Sequence, residues 1–134
     1  MASPSTEFPV TASAGTLRED PASGWTVPHQ WTSEGVVVEG DGNGAAVLHL
    51  SVALCVLNDT FREGEALGVP VSGVRVRAGG SFDHESWVST GVTYAVAVDS
   101  SAPAGAIAQV LAKVDEVAEI PRVLRAGMTV EREA

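Results

Sequence analysis

The most constraining feature of the sequence is one long run, Ala45 to Leu67, dense in alanine, leucine and valine and holding the single cysteine, Cys55. Strands are usually about 3–10 residues long, so a run of this length is read as a helix. Asp41-Gly-Asn-Gly44 supplies turn chemistry ahead of it, with Asn43 as the candidate N-cap. Gly64 should loosen the helix and Gly68 should end it. Its first half is apolar on nearly every side apart from His49 and Ser51, which predicts burial all round. Its second half carries Asn58, Asp59, Arg62, Glu63 and Glu65 and reads as a solvated surface, with Asp59 and Arg62 a helix-surface pair of no assigned catalytic role. The more strictly apolar portion, Ala45 to Leu57, is broken by His49 and Ser51 and is shorter than the roughly 20 residues a bilayer span requires.

Around this helix the pattern is mostly of strands. Val10–Leu17, Trp25–Thr32 and Gly35–Glu39 are β-prone runs separated by turn-forming residues, which predicts a small antiparallel meander. From Gly73, alternation of Val74, Val76 and Ala78 with Arg75 and Arg77 marks a half-buried strand, and Val88–Val98 a second one across the loop Gly79–Trp87. Ser101 and Pro103 open another helix, whose Ile107, Val110, Leu111, Val114 and Ala118 keep one apolar stripe. Pro121 should close it, and Met128–Arg132 alternates as a last strand. The predicted order is βββ-α-ββ-α-β, an α+β chain of antiparallel sheets around a long central helix. At 134 residues and 45% apolar content it is a single domain, with residues 1–9 a flexible tail.

Composition narrows function by exclusion. Seventeen acidic residues against eight basic ones give a net charge of −9 with no basic cluster, which argues against a nucleic-acid partner. Seven of the eight basic residues are arginine, Lys113 being the one lysine, which with the alanine, glycine and valine content points to a high-GC coding genome. The first residues lack a basic n-region and an apolar h-region, so a soluble protein of the reducing cytoplasm is expected. One cysteine allows no intrachain disulfide, CxxC redox pair or zinc-finger spacing, and neither cofactor nor metal is expected. Asp83-His84-Glu85 offers three ligand types, but consecutive loop residues seldom converge on an ion, and a solvated loop is expected there. Trp25, Trp31 and Trp87 are read as core or interface contacts, or as walls of a small apolar pocket.

Several segments together resemble the OsmC/Ohr family, the osmotically inducible protein C and organic hydroperoxide resistance proteins. Asn43-Gly-Ala-Ala-Val-Leu-His-Leu-Ser-Val-Ala-Leu-Cys55 is similar to the family helix, in which an Asn/Ser-Pro-Glu start leads to a reactive cysteine. Gly68-Val-Pro-Val-Ser-Gly73-Val-Arg-Val resembles the link into the next strand, Ser81-Phe-Asp83 the end of that strand, and Arg122-Val-Leu124-Arg-Ala-Gly127 the closing Arg-x-Leu-x-x-Gly segment. The resemblance covers roughly residues 43–132. It implies an intertwined homodimer with the cysteine helices packed centrally. It also implies a thiol peroxidase site at the subunit interface that acts on small organic hydroperoxides.

The same resemblance exposes departures. The family pairs its cysteine with an N-terminal arginine, for which Arg18 is the candidate, and with a helix-start glutamate, whose position here is Ala45. The second family cysteine falls at Ala118, so what remains is a one-cysteine cycle rescued by an external small thiol. His49 stands where the family has a small residue, and replaces the missing glutamate in one reading. Cys55, Arg18 and His49 are therefore the candidate catalytic residues. The alternatives are a fold repurposed for another small organic substrate, with His49 as acid or base and Cys55 as pocket wall, and a non-catalytic ligand-binding dimer.

Overall fold

A computed structural model of the protein describes residues 7–134. Ten elements follow the chain: β1 (Val10–Gly15), a 3-10 turn (Pro21–Ser23), β2 (Trp25–Val27), β3 (Val36–Glu39), α1 (Gly44–Ala66), β4 (Gly73–Phe82), β5 (Ser89–Asp99), α2 (Ala104–Val117), α3 (Glu119–Leu124) and β6 (Val130–Arg132). The six strands and the two longer helices follow the sequence-based order, whereas the short helix α3, which contains the Pro121 expected to close α2, was not anticipated. Asn43 caps α1 as anticipated, its side chain accepting from the Ala46 N–H at 2.9 Å.

The strands form one six-stranded sheet in the order β2-β3-β1-β4-β5-β6. Two expectations change here. The first three strands are not a simple meander, because β1 leaves β2 and inserts between β3 and β4. The sheet is mixed rather than wholly antiparallel, because β6 pairs parallel to β5, with Val92 opposite Val130. That parallel pairing is reached through α2 and α3, the kind of crossover parallel neighbours require.

One face of the sheet carries the core. Val10, Ala12 and Ala14 of β1, Val36 and Val38 of β3, Val74 and Val76 of β4, and Val92 and Tyr94 of β5 join α1 residues Val52, Ala53, Val56 and Leu57 and α2 residues Val110 and Val114 in one cluster. Alanines on β1 bring α1 close to the sheet centre. The Tyr94 hydroxyl donates to Asp115, which also receives Arg125 Nη2 at 2.9 Å, tying β5, α2 and the turn after α3 together. Burial and the adjoining carboxylate raise the Tyr94 pKa beyond its ordinary value.

The central helix is not buried all round within one chain. Val47 is 56% exposed, and Leu48, Ser51, Leu54 and Cys55 are half-buried. By length and composition alone α1 could cross a bilayer, since an 18-residue window within its 23 residues has a mean hydropathy of 1.5. Its packing against the sheet, with 56% of the apolar window buried, is that of a core helix. Of the expected N-terminal tail, residues 1–6 lie outside the described residues, whereas Phe8 already packs against the rings of His49 and Phe82.

Candidate functional site

Cys55 lies at the midpoint of α1, where its apolar half gives way to the polar one and α3 folds over the helix. The chain reaches it because α2 does not continue to Pro121. It breaks at Ala118, and a separate α3 begins with Pro121 in its first turn, where a proline without an N–H is tolerated. Ala118, the position matched to the second family cysteine, is fully buried. The residues after it meet the thiol: Glu119 Oε2 is 3.4 Å from Cys55 Sγ, and the Ile120 N–H donates to Sγ at 3.5 Å.

A second carboxylate and an arginine complete the cluster. Asp59, one turn beyond Cys55, is 1% exposed and places Oδ2 3.9 Å from Sγ. Arg62 spans the group, with Nη2 3.1 Å from Asp59 Oδ2, Nη1 3.2 Å from Glu119 Oε1 and Nε 3.0 Å from Glu63 Oε2. Asn58 donates to Asp59 Oδ1 at 3.1 Å. Asn58 also supports His29, whose pKa is lowered by burial and partly restored by that side chain. The i, i+3 spacing of Asp59 and Arg62 was visible in the sequence as a surface pair. What the sequence did not signal is Glu119, distant in the chain, which turns that pair into the surroundings of the cysteine.

The electrostatics follow from this geometry. Burial pushes the Cys55 thiol up to about 11, and the nearby charges of Asp59 and Glu119 add to the rise against the opposing Ile120 N–H. Asp59 is raised chiefly by burial, with Asn58 and Arg62 pulling the other way. Glu119 is held below the usual carboxylate range by a backbone N–H and by Arg62. The thiol is therefore protonated at neutral pH and donates to Glu119, the nearer acceptor. Cys55, Asp59 and Glu119 have donor atoms within 4.8 Å of one another, a spacing an ion could use. Arg62 already occupies oxygens of both carboxylates, so a cation would have to displace the guanidinium.

The three residues singled out from the sequence are not brought together. Arg18 Nη2 reaches Thr26 Oγ1 at 3.5 Å, and Thr26 pairs with Val37, which pairs with Ser13. Those partners alternate with the core-facing residues of β1 and β3, so Arg18 lies across the sheet from α1 within one chain. The cation beside Cys55 is Arg62 instead. His49 is fully buried, and its Nδ1 lies 2.9 Å from the Phe8 carbonyl, which requires Nδ1 to carry the proton. Nε2 is left without a partner against Gly80, and the ring stacks on Phe82. His49, Arg18 and Cys55 share no hydrogen bond or ion pair among the described residues. Ala45 lines a separate apolar pocket of about 330 Å³ with Glu7, Phe8, Phe82, His84 and Trp87. That pocket begins about 15 Å along the helix from Cys55, from the ten-residue separation and the α-helical rise. His84 meets the edge of Trp87 there and joins no ligand cluster among the described residues.

No protein-family model and no curated protein sequence matches the chain. Solved structures do: the chain superposes on an OsmC like protein from Mycoplasma pneumoniae with a TM-score of 0.63, covering 96% of this chain and 95% of that one at 12% identity. The fold is OsmC-like. A hypothetical protein from Aquifex aeolicus VF5 is similar as well, with a TM-score of 0.58 over 90% of this chain and 92% of that one, again at 12% identity. The OsmC-like fold thus extends over nearly the whole chain, including β1 to β3, for which the sequence resemblance had no specific motif. At this identity the match speaks for the fold, and the chemistry has to be argued from the cluster around Cys55.

Proposed function

We propose that the chain is an OsmC-like reductase of small organic hydroperoxides that works as a homodimer with one cysteine per chain. The observation that carries this reading is the Arg62–Glu119 ion pair beside Cys55, which offers a cation and a proton acceptor where Arg18 and Ala45 do not. Cys55 Sγ attacks the terminal oxygen of the hydroperoxide, the S–O bond forms as the O–O bond breaks, and the products are a sulfenic acid and an alcohol. The thiol proton passes through Glu119 to the departing alkoxide, while Arg62 holds Glu119 over the sulfur. One external thiol then yields a mixed disulfide and water, and a second releases Cys55 as a thiol together with the external disulfide.

The half-exposed apolar stripe of α1, with Val47 and Leu48 at its start, supports burial by a second copy in the intertwined manner the sequence resemblance implies. A free, oxidisable cysteine fits a reducing cytoplasm. The test is hydroperoxide consumption in the presence of a small thiol by wild type and Cys55→Ser. Turnover that depends on Cys55 is expected, and equal rates in the two proteins would refute the proposal.

A second reading is favoured by one observation, the apolar pocket lined by Phe8, Phe82 and Trp87 away from the thiol. Under it the protein binds a small apolar organic molecule there, and Cys55 is structural. Quenching of Trp87 fluorescence by a ligand, unchanged in Cys55→Ser, would favour this reading.

A further inference from the structure

A cysteine peroxidase with one cysteine must keep its sulfenic acid from further oxidation until a thiol arrives, because sulfinic acid is not recovered by ordinary thiols. Two-cysteine enzymes do this by forming a disulfide. Here the chain has no second cysteine, yet the segment at which the family resemblance puts it is packed on Cys55 all the same. What that segment presents to the sulfur is a backbone nitrogen.

We propose that the sulfenic acid of Cys55 condenses with the backbone nitrogen of Ile120 to form a sulfenamide that ties α1 to α3. This rests on the hydroperoxide reading above and assigns the fate of the same oxidised sulfur. Three features of the structure place the reaction. The Ile120 nitrogen is 3.5 Å from Sγ, across 65 residues of chain, so the nucleophile is held against the sulfur by the fold. Ile120 lies in the first turn of α3, where backbone N–H groups have no intrahelical acceptor, so the helix loses no hydrogen bond when this proton leaves. Glu119, whose own peptide link contains that nitrogen, has its carboxylate 3.4 Å from Sγ and can accept the amide proton.

The step balances without a further reagent. The S–N bond forms as the S–OH bond breaks. The amide proton moves to Glu119 and on to the departing hydroxide, and water leaves. The oxidant is the organic hydroperoxide already consumed in making the sulfenic acid. A small thiol reverses the link by attacking Sγ, which gives the mixed disulfide and returns the proton to the Ile120 nitrogen.

The experiment treats the full-length protein with cumene hydroperoxide in the absence of thiol, records intact mass, and maps tryptic peptides. The expected result is a monomer lighter by about 2 Da, with the Cys55 peptide joined to the Ile120 peptide, and recovery of the starting mass on adding dithiothreitol. Ile120→Pro, which removes the N–H in a first-turn position, should instead stop at a gain of about 16 or 32 Da, with its folding checked by circular dichroism. If that variant does not fold, the joined wild-type peptides decide the matter alone. Wild type that gains about 16 or 32 Da with no joined peptide overturns the sulfenamide and leaves the reductase standing. A disulfide-linked pair of chains in place of the joined peptide overturns it as well. Cys55 that resists oxidation altogether overturns both readings.

Discussion

The thiol of Cys55 donates to Glu119 at 3.4 Å, joining an apolar helix to a short helix 64 residues later in the chain. Because the thiol pKa stands at about 11 instead of 9.0, the neutral form is the one the folded chain favours. At neutral pH the thiolate fraction is about 100-fold below that of an unperturbed cysteine, from two pKa units. Iodoacetamide alkylation of the native protein should therefore be about 100-fold slower than that of the unfolded chain at pH 7, and should climb about tenfold per pH unit toward 11. Stability carries the matching sign. The raised pKa contributes fully below pH 9, and the contribution is lost as pH rises from there through about 11, which chemical denaturation across that window would measure.

Glu119→Gln separates the two roles of that carboxylate. Removing its charge lowers the thiol pKa, so alkylation at pH 8 should accelerate several-fold. Hydroperoxide reduction should instead fall by about tenfold or more, because the proton relay to the departing alkoxide is lost. Parallel increases in both rates would show that Glu119 serves no proton transfer.

Arg62→Ala leaves Asp59 buried beside Glu119 without its cation. The expected cost is about 1–3 kcal/mol at pH 8, shrinking as Asp59 takes up a proton at lower pH. Urea titrations of wild type and variant at pH 8 and pH 5 test both the size and the direction.

His49 is fully buried, bonded to the Phe8 carbonyl and set against Gly80, and these contacts predict a structural role for it. His49→Ala should cost about 2–4 kcal/mol, from the cavity and the unpaired carbonyl, and leave Cys55 alkylation within about twofold of wild type. Gly80→Ala should be comparably harmful, since an added Cβ would sit 2.2 Å from the Gly91 carbonyl oxygen and 3.2 Å from His49 Nε2. Thermal melts of the two variants, with alkylation rates alongside, check these outcomes.

Val47→Asp tests the second copy. The exposed valine at the start of α1 should tolerate the change in a monomer, whereas in a dimer packed through α1 it introduces an unpaired charge. Sedimentation should show a wild-type mass near twice 13.8 kDa and a variant shifted toward one chain. A wild type that sediments as a monomer at all concentrations would remove the dimer from the proposal.

Much of the fold was legible because the signals were local. The length and apolar density of α1, the 2-residue alternation of β4 and the 3.6-residue stripe of α2, together with Asn43 and the glycines, depend only on neighbouring residues. The parts that were not legible are the long-range ones. Nothing near Val10–Gly15 reveals that β1 will sit between β3 and β4, since a short strand of small residues pairs acceptably with several neighbours. The polar half of α1 looked solvated because Asp59 and Arg62 follow helix-surface spacing. Asp59 is instead buried by α3, which arrives there only because α2 breaks at Ala118. Pro121 was expected to end a helix, and its tolerance in a first turn let it begin one.

The insertion of β1 between β3 and β4 has a consequence for how the protein is made. On the ribosome this strand emerges before either of its neighbours, and its second edge stays unsatisfied until residues as far along as Ala78 have been synthesised. During that interval a strand with an open edge and an uncovered apolar face, Val10, Ala12 and Ala14, is exposed, the kind of surface that chaperones hold. The nascent chain should therefore depend on such protection most in the stretch between completing β3 and completing β4.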